Sequence, residues 1–127
     1  MESLRDRGTR HRRLDEGLVH VFSARELGGK LQEEAEYQRS GHTGLTLMKT
    51  PELRVLVETA EAGTVLARHA IHGPATLYLV EGELSIDTAG GRYTAGSGDM
   101  VVLPRDEDRA IVARKRCIFL MALSPES

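Results

Sequence analysis

Residues 63 to 84 read GTVLARHAIHGPATLYLVEGEL, and the placing of Gly63, His69, His72 and Gly82 within them decides the fold. Taken alone, TVLARHAIHGP favours a helix, with Thr64 as a cap, good helix formers behind it and a Gly73-Pro74 stop. On a helix, His69 and His72 share a face and can reach one ion. On a strand, residues three apart point to opposite faces and the pair is split. The secondary structure of 64 to 72 therefore carries the functional question with it.

Outward from this stretch, the chain breaks into short β-runs from residue 45 onward. LTLMKT stops at Pro51, and LRVLVETA alternates Leu53, Val55 and Val57 against Arg54, Leu56 and Glu58. TLYLV, ELSID, a Gly90-Gly91 turn, RYTA, MVVLP, AIVAR and CIFLMAL follow. Eight or more short strands punctuated by Gly and Pro predict a sandwich or barrel. Toward the N-terminus, LVHVF (18–22) reads as a further strand. Ser23 and Glu26 have capping-box spacing, and Leu27 and Leu31 lie one turn apart, so 24 to 37 reads as a short helix. Gly28-Gly29 weakens that helix by about 2 kcal/mol of propensity. RSGHTG (39–44) is loop chemistry.

At 127 residues the chain fits one domain with a core that needs no staples. Residues 1–13 carry five Arg against one Glu and one Asp and are expected to be a flexible basic tail, with 14–127 forming the single domain. That tail lacks an apolar stretch of secretory type. A net charge of −2, two Phe, three Tyr and no Trp argue against nucleic acid. The apolar runs, such as IFLMAL, are far too short to span a membrane. Cys117 is the only cysteine, so no internal disulfide can form and a cytoplasmic setting is expected. Within RKRCIFLMAL it reads as a buried thiol, although Arg116 beside it could favour a thiolate.

Across residues 45–123 the chain resembles the cupin family of small β-barrels. Gly63, five residues and His69, then Gly82, match the frame of that family's first motif. Gly98, five residues and Pro104, within GSGDMVVLP, match the second. The resemblance implies an all-β fold, the cupin-type double-stranded β-barrel or jelly roll, with the short N-terminal helix added. It also implies that 64 to 72 is a strand, against the local helix signal, and that the chain pairs as a homodimer with LVHVF as an exchanged or covering element. The departures fall on the chemistry. His69 keeps the first ligand position, but Ile71 stands at the second, Ala75 at the Glu, Arg109 at the final His and Ala113 at the Asn. A guanidinium has no lone pair to give and repels a cation.

Two uses of the barrel follow. In the first, no cofactor is bound: His69 and Arg109 converge with Ile71, Leu77 and Leu79 as an apolar wall, suited to a small anionic ligand. Arg109 could instead pair at the rim with Asp106 or Glu107. In the second, a bulge at Ala70–Ile71 turns His72 onto the face of His69 and His42 supplies a third imidazole. That set would hold one divalent metal such as zinc, iron or nickel, for dioxygenase or isomerase chemistry.

Overall fold

Two long strands, β3 (Ala75–Thr88) and β6 (Arg109–Leu123), pair antiparallel along their whole length, from Ala75 opposite Leu123 to Thr88 opposite Arg109. They form the spine of a computed structural model that describes residues 18–66, 74–104 and 109–124. The basic tail, His69, Ile71 and His72 lie outside the described residues.

Gly82 explains how two strands can serve two sheets. Its φ is +96°, and a side chain there would collide with the Arg116 carbonyl oxygen and with Cys117. Only glycine permits that approach without strain. The β3–β6 register shifts on both sides of this point, between Leu79 and Leu84. Bulges bend a strand pair in this way, so each strand leaves one sheet and enters the next. On one side of the bend, the order is β1 (His42–Lys49), β2 (Arg54–Ala60), β6, β3 and β5 (Met100–Leu103). On the other, β6 and β3 are joined by β4 (Gly91–Gly96). Residues 63–66 extend that second sheet through Val65 opposite Val112 and backbone bonds to Ile111 and Ala113.

Both sheets turn one face to a shared core. Leu77, Leu79, Leu84, Ile86, Ile111, Ala113, Cys117 and Phe119 are all buried there, with Leu56 and Ala60 from β2. A second cluster lies on the opposite face of β1, β2 and β6 under helix α1 (Ala24–Leu31), and includes Leu27, Leu31, Val57 and Ile118. Helix α2 (Ala35–Ser40) leads into β1 through Gly41, whose φ of +86° gives a left-handed cap.

Several expectations are confirmed, and others corrected with a physical cause. The all-β, jelly-roll class holds, and Gly63, Gly82 and Gly98 all sit at positive φ. Thr64–Leu66 is extended and hydrogen-bonded in a ladder, so the local helix signal fails over that part; the remainder of the stretch lies outside the described residues. The described strands number six, because TLYLV and ELSID fuse into β3, and AIVAR and CIFLMAL into β6. LVHVF forms no strand. Val19 and Val21 face solvent, and only Phe22 reaches the second cluster. The helix over 24–37 divides in two at Gln32–Glu34. Ser23 does cap α1, accepting from the Glu26 amide at 3.2 Å. Gly28, read as a weakness, lets the helix close on the sheet: a Cβ there would lie 2.6 Å from Ile118. RSGHTG is divided as well, since β1 already begins at His42.

Candidate functional site

The spine places chemistry at two cavities. Arg109 opens β6 opposite Thr88, on the same inward row as Ile111 and Ala113. Its side chain is 5% exposed, and its Nη1 donates to the Pro104 carbonyl at 2.7 Å. The guanidinium lines a cavity of about 550 Å³ whose wall includes Ile86, Tyr93, Ala95, Val101 and Leu103. A buried cation must have acceptors around it, and the bond to Pro104 holds one edge of the fork in place. Leu77 and Leu79 are fully buried in the core and line neither this cavity nor the one beside β1 and β2.

The second cavity, about 460 Å³, opens between β1, β2 and Leu66. His42 lies on its wall together with Thr46, Arg54, Leu56 and Glu58, and Glu36 of α2 also contributes. Glu58 projects inward opposite Gly44 on β1 and Phe119 on β6. A Cβ at Gly44 would come within 3.1 Å of the Glu58 side chain, so the missing side chain makes room for the carboxyl. Among the described residues, Glu58 accepts no hydrogen bond. Burial pushes its carboxyl up to about 7, which the charge of Arg54 only partly opposes. Arg54 turns the other way: its Nη2 donates to Thr46 Oγ1 at 3.4 Å, and its Nε is buried without an acceptor.

His42 and Arg109 thus stand on different cavities. The positions that correspond to the family's carboxylate, final imidazole and amide carry Ala75, Arg109 and Ala113, all buried. Two methyl groups and a guanidinium offer no lone pair to a metal. Among the described residues, no three His, Cys, Asp or Glu side chains gather closely enough to hold an ion. Of the imidazoles considered for a metal, only His42 lies among the described residues, and His69 and His72 lie outside them. Cys117 is a buried thiol, pushed up to about 11 by desolvation. The neighbouring Arg116 guanidinium is engaged by Glu61 instead.

Sequence reasoning passed over Glu58 and Arg54. The signal was present in LRVLVETA, which sets Arg54, Leu56 and Glu58 on one face. The valine face looks like the one that should point into a barrel. It packs outward, beneath α1, and the charged face is the interior one.

Among the described residues, no helix is long and apolar enough to cross a membrane. No family model matches the chain, and no curated protein does. Solved structures do. A cupin superfamily protein from Desulfitobacterium hafniense superposes with a TM-score of 0.66 at 16% identity, covering 91% of this chain and 98% of its own. An RmlC-like cupin from Shewanella frigidimarina gives 0.60 at 24%, over 68% of this chain and 78% of its own. A salicylate 1,2-dioxygenase from Pseudoaminobacter salicylatoxidans gives 0.59 at 21%, over 66% of this chain but 27% of the enzyme. With the six-stranded sheet bent over at Gly82 and the three glycines at positive φ, these matches show that the chain has the cupin fold.

Proposed function

We propose that the barrel binds a small organic anion, with its carboxylate or phosphate on Arg109 and its apolar part against Ile86, Ala95, Val101 and Leu103. The observation that carries this reading is a buried guanidinium on the wall of a cavity of about 550 Å³ that offers both apolar side chains (Ile86, Ala95, Val101, Leu103) and polar ones (Thr88, Thr94, Asp99). In low dielectric, a charge-assisted pair of this kind gains more than it would on the surface. The bond to Pro104 fixes the side chain before a ligand arrives, which lowers the ordering cost of binding.

The test compares benzoate with benzyl alcohol by NMR titration of the full chain and of an Arg109→Met variant. Benzoate should bind more tightly than the alcohol, and the variant should lose about tenfold to a hundredfold in benzoate affinity, the usual worth of a hydrogen bond to a charged group. Equal binding of both probes, or an unchanged variant whose thermal unfolding is normal, overturns the reading. The competing use is a divalent-metal enzyme drawing on His69 with His72 or His42, and the fold is shared with a dioxygenase. Elemental analysis of untagged protein separates the two. Near-stoichiometric metal that is lost in His69→Ala would favour the enzyme.

A further inference from the structure

The second cavity carries a feature that the anion reading does not use. Glu58 sits half-buried on its wall, accepts no hydrogen bond from a described residue, and has open space above it because position 44 is glycine. Most buried carboxylates in folded proteins are satisfied by donors. Arg54 lies within Coulombic range yet forms no hydrogen bond or ion pair with Glu58, since its bonded nitrogen is turned to Thr46. A half-buried carboxyl that accepts no hydrogen bond from a described residue, facing a cavity, is chemically incomplete.

We propose that this cavity is a binding site for a small organic cation, an ammonium or amidinium group whose N–H donors complete the Glu58 carboxylate. Among the described residues, the other charged or titratable groups around it are few. Arg54 shares β2, His42 comes from β1, Glu36 comes from α2, and Cys117 of β6 adjoins from below. Glu36 is held by Arg39 at 3.0 Å, and the Cys117 thiol stays neutral near pH 7. With Glu36 already paired to Arg39, Glu58 and Arg54 nearly balance among the described residues, and it is the unbonded Glu58 oxygens that favour a guest carrying N–H donors. The carboxyl is held near neutrality by burial, so the guest must displace its proton and binding releases one. This inference does not depend on Arg109, which lines the other cavity.

The test titrates the full chain with n-butylammonium, 1-butanol and butyrate, following the Gly44 and Glu58 amides and the Glu58 side-chain carboxyl carbon by NMR. Butylammonium should be preferred, and its affinity should rise about tenfold between pH 6 and pH 8, following the ionised fraction of a group that titrates near 7. Saturating probe should lower the midpoint of the Glu58 titration. Glu58→Gln should lose both the preference and the pH dependence, while a His42→Asn background, which removes the imidazole from the titration, should keep them. Arg109→Met should leave butylammonium binding unchanged, which separates this site from the anion site. Preference for butyrate, affinity that falls as pH rises, or unchanged binding in a folded Glu58→Gln protein overturns the proposal.

Discussion

Glu58 and Glu61 stand three residues apart at the end of β2 and have opposite fates. Glu61 accepts from Tyr37 Oη at 2.6 Å and from Arg116 Nε at 2.9 Å, both on the same oxygen. The hydrogen bond from Tyr37, with Arg116 behind it, holds its carboxyl below the usual range against the opposing effect of burial. Tyr37 is pushed in turn to about 12, first by its own burial and then by the carboxylate it serves. Glu58 has neither donor and is pushed up to about 7. Glu61, one residue past the end of β2, therefore ties α2 to β6, while Glu58 three residues earlier within the strand is a carboxyl left open toward a cavity. What decides the role is the presence of donors, more than the residue type.

The largest test of this contrast is the pH dependence of stability. The native Glu58 carboxyl titrates near 7, against 4.5 for a free one, so the folded state binds a proton more tightly than the unfolded state. Stability from this group is full below about pH 4.5 and is lost as pH climbs through 7, the reverse of a salt-bridged carboxylate. Glu58→Gln removes that loss. The variant should gain up to about 3 kcal/mol over the wild type between pH 5 and pH 8, measured by urea unfolding at both values. A wild type that falls no further than the variant over this range breaks the comparison. Next in size is Tyr37→Phe, which takes one donor from Glu61 and should cost about 1 kcal/mol near neutrality. Because the Glu61 carboxyl is held low, that cost should shrink as pH drops through the acid range and the carboxyl becomes protonated. Urea midpoints at pH 7 and pH 3 would read it, and an equal cost at both values would mean that Glu61 gains nothing from Tyr37.

The barrel was legible because its signals are local and steric. Gly63, Gly82 and Gly98 hold positive φ at bends, and Gly82 lets β3 lie against β6 without collision. Spacing between such residues survives in the sequence. The sites were less legible, for two physical reasons. A strand buried on both faces hides its inward side, so the valines of β2 drew attention from Arg54 and Glu58. Helix α1 is what buries that outer face, and its approach depends on Gly28, a residue that counts against a helix by propensity alone. LVHVF failed for a related cause: β-alternation makes a strand only where a neighbour supplies the ladder, and residues 18–22 have none among the described residues. Arg109 draws attention by its motif position, but where its side chain lies depends on how β6 runs past Thr88.

The smallest effect asked of the molecule is also the most selective, because it changes the donors around Glu58 and leaves its burial nearly intact. Gly44 faces Glu58 across β1 and β2, and a Cβ there would lie 3.1 Å from Glu58 Cγ and 3.2 Å from Oε2. Gly44→Ser sets a hydroxyl donor beside that oxygen, and the flexible end of the glutamate can yield the few tenths of an ångström required. Unfolding stability should move by about 1 kcal/mol or less, as a new hydrogen bond offsets crowding. The Glu58 titration followed by carbon NMR should fall by about one unit, toward the behaviour of Glu61. Gly44→Ala supplies the same crowding with no donor, so there the midpoint should stay near 7 or rise. If both variants shift the midpoint equally, crowding governs Glu58, and the missing donor is not what separates it from Glu61.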